Sequence, residues 1–250
     1  MATKSRPGLR RWILGAILCA GLLASAPAAT PAPTASPAPP DADLAGKLTR
    51  IQNTCFDLYP AKLIQRMSGR PGPVPADVRE NPRKQIAYLK TEEKVAKGLF
   101  YPSILEDILP AFAAVIRPGM RFLDLGSGDG RIVFMAALLG ADASGIEYDS
   151  ELHRIALEAR QRLQDLVDPE RAVLLRGDFF KEDMRPYDVF FYYALGSSSE
   201  DRLLAKLRGE MGPSALLVLA YPSGPVPGFR KTADYAGVAV FESVRTPPGP

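Results

Sequence analysis

Arg121-Phe122-Leu123-Asp124-Leu125-Gly126-Ser127-Gly128-Asp129-Gly130-Arg131 is the stretch that decides the fold. An apolar strand runs into a glycine-rich turn, and a helical pattern begins at once. The glycines let the backbone turn sharply and bring its N–H groups close to whatever lies above the strand's carboxyl end. Working outward, the sequence predicts strands over 121–125, 142–147, 172–177, 187–193 and 214–220, with helices over 130–139, 150–165 and 199–209 between them. Such alternation gives a parallel sheet covered by helices on both faces. A strand over 236–244 would close an antiparallel hairpin and bring the sheet to seven strands. The expected fold is α/β: a doubly wound, mostly parallel, Rossmann-like sheet with an N-terminal helical extension.

A glycine turn of this kind serves nicotinamide, flavin and S-adenosylmethionine sites alike, and two features separate the cases. Asp124 stands two residues before Gly126, where a carboxylate would repel a pyrophosphate but attract a ligand bearing ammonium and sulfonium charges. Position 131, where the dinucleotide pattern wants a small residue, holds Arg131. Glu147 ends the next strand, about 20 residues past the glycines, where a carboxylate can accept both hydroxyls of a ribose. The strand after that ends in Arg176-Gly177-Asp178-Phe179. Asp178 is placed to take an adenine amino group and Phe179 to form an apolar or stacking wall. Three acids at three successive strand ends point to S-adenosylmethionine as cofactor.

Asp-Leu-Gly-Ser-Gly-Asp-Gly-Arg-Ile-Val, followed by Gly-Ile-Glu-Tyr-Asp, resembles the class I methyltransferases, whose seven-stranded Rossmann-like sheet it implies. More narrowly, it is similar to a small group of membrane-associated protein-lysine methyltransferases and their bacterial relatives, in which a Tyr-x-Pro segment lies one helix upstream. Here that element would be Phe100-Tyr101-Pro102-Ser103, one residue shorter than the pattern. The resemblance covers roughly residues 98–222. It implies that Asp124, Gly126, Gly128, Glu147 and Asp178 bind the cofactor, with Ser127 inside the turn and Phe179 beside the adenine. It also implies that Tyr101 closes over the methionine end.

The fourth strand, Tyr187-Asp188-Val189-Phe190-Phe191-Tyr192-Tyr193, should deliver residues beside the methyl group. It runs on into Ala194-Leu195-Gly196, where amide and adenine methyltransferases often carry Asn/Asp-Pro-Pro-Tyr. An aromatic wall suits an amine held by cation–π contact, so Tyr193 is the candidate catalytic residue. Catalysis would come from alignment, desolvation and deprotonation of the nucleophile. The acceptor stays open between a protein lysine, or another nitrogen or oxygen nucleophile, and a small molecule. The last would need a closed pocket built by the accessory helix. A non-catalytic domain that keeps the fold for binding is a further alternative, and a nicotinamide-dependent oxidoreductase a weak one.

The remainder of the chain sets the context. In 250 residues the net charge is +3, and no clustered Lys/Arg face marks a nucleic-acid partner. Cys19, Cys55 and the single histidine, His153, offer no disulfide framework, no cysteine zinc site and no nucleophile motif, so no metal is expected. Lys4, Arg6, Arg10 and Arg11 precede an apolar run from Trp12 to Ala24 and then small residues, the parts of a secretory signal or membrane anchor over 1–26. A Pro/Ala-rich tether follows over 27–42, then a helical accessory segment over 43–82 in which Pro60 interrupts the pattern and 69–82 is a breaker zone. The cofactor domain spans 83–250, opening with helices over 84–97 and 103–116, the second with Ser103 as N-cap and Glu106 three residues on. The N-terminus thus predicts an exported or membrane-anchored protein, whereas the cofactor argues for the cytoplasm; a later start, as at Met67, would reconcile them.

Overall fold

The computed structural model describes residues 42–89, 93–95, 98–194 and 200–244. The signal-like segment, nearly all of the tether and Leu195-Gly196 lie outside them. Among the described residues no helix is long and apolar enough to cross a membrane.

The described residues begin with α1 (Ala42–Asp57) and α2 (Ala61–Ser68), separated at Pro60 as its missing N–H and fixed φ require. The breaker zone holds a short helix, α3 (Ala76–Arg79), and α4 (Pro82–Leu89) is shorter than the expected 84–97. Its predicted second half is instead a hairpin of β1 (Glu93–Val95) and β2 (Gly98–Phe100), with Glu93 opposite Phe100. Phe100 is buried among Tyr59, Leu63, Tyr88 and Leu152. Tertiary burial of one aromatic here overrides a weak helical pattern.

α5 (Leu105–Val115) does not use the expected cap. Ile104 holds the cap position without a side-chain bond, and Ser103, one residue earlier, is buried with its carbonyl accepting from Arg131. The Leu105 N–H is accepted by Gln52 Oε1 of α1 at 3.0 Å, and Gln52 Nε2 donates to the Glu106 carboxylate at 3.0 and 3.1 Å. Gln52 is fully buried, so it performs from another helix the work assigned to Ser103. Gln52→Ala should therefore cost about 1–3 kcal/mol, because it strands a buried N–H and a carboxylate together. Equilibrium denaturation in urea would measure this, and a loss under about 0.5 kcal/mol would count against the assignment.

The main sheet follows in chain order: β3 (Arg121–Leu125), α6 (Arg131–Leu138), β4 (Asp142–Glu147), α7 (Ser150–Arg162), β5 (Ala172–Arg176), β6 (Val189–Tyr193), α8 (Glu200–Glu210), β7 (Leu216–Ala220), β8 (Phe229–Tyr235) and β9 (Val238–Ser243). The spatial order is β5-β4-β3-β6-β7-β9-β8. Strands β3 to β7 run parallel, and β9 pairs antiparallel with both β7 and β8. Central strands buried on both faces need continuous apolar runs, which Val189-Phe190-Phe191 and Leu216-Leu217-Val218-Leu219 supply. Neighbouring residues serve opposite cores. Phe122 packs with Phe112, Phe134 and Phe191 on the face of α5 and α6, while Leu123 packs with Phe190, Leu203 and Leu207 on the face of α8. The chain moves outward from β3 to β5, then returns to the other side of β3 as β6. That reversal opens a crevice above the strand ends, where α/β sheets bind ligands.

Candidate active site

The three predicted acids stand on three adjacent strands. Asp124 is the fourth residue of β3, Glu147 the last of β4, and Asp178 lies two residues past β5. Asp124 is 3% exposed, and its carboxylate accepts no hydrogen bond from any described residue. Burial pushes its pKa well above the usual carboxylate range, and the nearby charges of Glu147 and Asp129 push it further. Glu147, 6% exposed, accepts the Gly128 N–H at 2.8 Å on one oxygen and the Asp149 N–H at 2.6 Å on the other. Burial raises its pKa while these amide bonds oppose the rise. The Tyr148 N–H acts on the same carboxylate, whose roughly four lone-pair sites still leave capacity for a hydroxyl. Asp178 is half-buried and accepts the Phe180 N–H at 3.1 Å, capping a one-turn 3-10 helix that begins at Phe179. Phe179 stacks tilted on Phe180 at 4.7 Å.

The glycine turn fits a cationic ligand better than a phosphate. Gly126 and Ser127 N–H both donate to the Ile146 carbonyl at 3.0 Å, Gly128 N–H to Glu147, and Gly130 N–H to the Ser127 carbonyl at 2.9 Å. A pyrophosphate needs such amides free. Here protein acceptors take them, and the acid beside the turn that accepts no bond from a described residue is the buried Asp124. Gly126, Gly128 and Gly130 all have positive φ, the left-handed region that disfavours other residues. Ser127 is the predicted residue with a packing place: its side chain lies where a β-carbon on Gly145 of β4 would fall.

Beyond β6 and β7, a cleft of about 270 Å³ is lined by Tyr101, Pro102, Ser103, Asp107, Tyr193 and Tyr221, among others. The Tyr101 and Tyr193 rings lie 6.3 Å apart, and those of Tyr193 and Tyr221 5.6 Å. Tyr221, the first residue past β7, has φ of 56°, strained for an aromatic residue, and its N–H is held by the Gly237 carbonyl at 2.7 Å. Burial, then the charge of Asp107, raises the Tyr221 pKa, so its hydroxyl stays protonated near neutral pH. Asp107 is ion-paired with Arg83 at 2.7 Å. Tyr221 was missed in the sequence, although its place after β7 parallels that of Tyr193 at the end of β6. Also missed was a buried cluster of Tyr59, Asp129 and Arg131 beneath the turn. Only the closeness of an acid and a base within the glycine stretch hinted at it.

The reversed sheet, the satisfied glycine turn and the acids at the ends of three adjacent strands are the arrangement of a class I methyltransferase-like domain. Residues 124–221 match the family model described as the ANTKMT methyltransferase domain. Over 100 residues the chain is 31% identical to a lysine N-methyltransferase of Caenorhabditis elegans that is named for a subunit of ATP synthase, across 40% of this chain and 50% of that protein. It is 36% identical over 93 residues to the H3 lysine-79 specific histone-lysine N-methyltransferase of Emericella nidulans, across 32% of this chain and 18% of that one. The chain thus spans half or less of the length of these curated relatives. Among solved structures, an RNA methyltransferase from Salinibacter ruber in complex with S-adenosyl-L-homocysteine is 27% identical, with 57% of this chain and 94% of that one covered and a TM-score of 0.45.

Proposed function

We propose that the protein methylates the side-chain amine of a protein lysine. The observation that carries this reading is the cleft between Tyr101, Tyr193 and Tyr221, at the ends of the strands beside the cofactor crevice. The lysine-directed activities named for the two curated relatives support it.

In this reading Asp124, Glu147 and Asp178 hold S-adenosylmethionine, with the turn from Gly126 to Gly128 beneath it and Tyr101 and Phe179 as walls. When bound, the cofactor supplies a methyl group on a positively charged sulfur that leaves readily. Tyrosine faces stabilise an alkylammonium by about 0.5–2 kcal/mol, which orients the incoming side chain; exclusion of water opposes that charge, so that the proton passes to solvent and the neutral amine takes the methyl group as the sulfur leaves. The apolar run over 12–24 behind its basic residues supports a further proposal, that the domain is tethered to a membrane or exported.

The test is incubation of the full chain with methyl-labelled S-adenosylmethionine and cellular protein, with mass spectrometry to locate the label. Methyl-lysine is the expected product, and label confined to small molecules would favour the small-molecule reading. Tyr193→Ala should lower kcat/KM about tenfold while Tyr193→Phe keeps most of it, since the ring face and not the hydroxyl holds the cation. Equal losses in the two variants would sink that role.

A further inference from the structure

Under the glycine turn, Arg131 ties together three segments that are far apart in the chain. Its Nε donates to the two Asp129 carboxylate oxygens at 3.1 and 3.0 Å, and its Nη2 to one of them at 2.7 Å. Nη1 donates to the Ser103 carbonyl at 3.0 Å, and Nη2 also reaches the Tyr59 hydroxyl at 2.9 Å. The Tyr59 hydroxyl in turn donates to Asp129 Oδ2 at 2.5 Å. The Arg131 and Asp129 side chains are only 3% and 2% exposed. The Tyr59 ring meets Phe100 edge-on at 5.9 Å, and Phe100 covers Gly128 so closely that a β-carbon there would lie 2.8 Å from its ring.

The partners of this one guanidinium belong to different parts of the site. Asp129 follows Gly128, whose N–H is held by Glu147. Ser103 lies two residues past Tyr101. Tyr59 closes the turn between α1 and α2. A buried ion pair is no more stabilising than well-packed apolar residues of equal volume, so stability alone does not account for it. A rigid planar fork that reaches three segments does fix their relative positions.

We propose that Tyr59 and Arg131 are positioning residues through which the helical segment 42–68 sets the glycine turn and the Tyr101 segment together. That makes the segment a working part of the methyl-transfer site. The inference deepens the proposed function and rests on its assignment of the turn and of Tyr101.

Hydrogen exchange read by mass spectrometry, on the full chain well below each melting temperature, tests it with Tyr59→Phe and Arg131→Lys. Lysine keeps the charge beside Asp129 but lacks the fork, and it decides the matter if the tyrosine variant does not fold. Residues 100–104 and 124–131 should both exchange at least about fivefold faster, with β6 and β7 unchanged, and S-adenosylmethionine should bind about tenfold more weakly. Faster exchange in one segment only, in neither, or evenly across the sheet would overturn the proposal. If the wild-type chain binds no S-adenosylmethionine, the cofactor reading fails, and the exchange comparison still judges the positioning role.

Discussion

Asp124→Asn should abolish useful cofactor binding and yet give a protein that melts at a higher temperature. Both effects follow from one buried acid. Its folded pKa lies above its unfolded one, chiefly through burial and then through Glu147 and Asp129. The folded state therefore holds the proton more tightly, and stability is full below the ordinary carboxylate pKa and falls as pH rises toward the folded value. Asparagine removes that penalty near neutrality, raising the melting temperature by about 2–4 °C per kcal/mol recovered. Binding moves the other way. The carboxylate must be ionised to attract a sulfonium and an ammonium, so wild-type affinity should weaken as pH falls through the raised pKa. The variant should bind at least about 100-fold more weakly, about 2.7 kcal/mol, with a smaller pH dependence that comes from Glu147. Isothermal titration across pH beside thermal melts reads both, and wild-type affinity in the variant would remove Asp124 from the site.

The second large effect is expected at Gly145, inside β4 and away from the crevice. A β-carbon there would stand 2.5 Å from Val133 Cγ2 of α6 and 2.6 Å from the Ser127 β-carbon. No side chain fits without moving α6 and the glycine turn off the sheet. The turn's own bonds to the Ile146 carbonyl and to Glu147 hold it down on this strand. Gly145→Ala should cost about 1–3 kcal/mol through overpacking, although alanine is otherwise the better residue in a strand. Loss of cofactor affinity should accompany it, because the displaced atoms belong to the turn. Urea denaturation is the check, and a change below about 0.5 kcal/mol would show that α6 yields freely.

The central strands β6 and β7 were legible in the sequence because burial on both faces writes them as apolar runs, Val189-Phe190-Phe191 and Leu216-Leu217-Val218-Leu219. The acids were legible because strand ends fix where they fall. The hairpin over Glu93–Phe100 was not: three-residue strands carry too little periodicity to compete with a helical pattern. Ser103 had every local mark of a cap, yet the acceptor came from Gln52, 53 positions away in the chain. Long-range substitution of that kind leaves no local trace. Arg131 was weighed only as too large for a dinucleotide turn. That it binds three segments depends on a fold that brings Tyr59 and Ser103 to it.

The reversal between β3 and β6 also divides the labour of the domain along a seam. Asp124, Glu147 and Asp178 all belong to the half that runs from β3 to β5, while Tyr193 and Tyr221 close strands of the other half. Under the proposed function, substitutions at the ends of β6 and β7 should therefore alter acceptor choice without touching the carboxylates. Grafting those two strand ends from a relative is the direct way to exchange the acceptor while the cofactor half stays as it is.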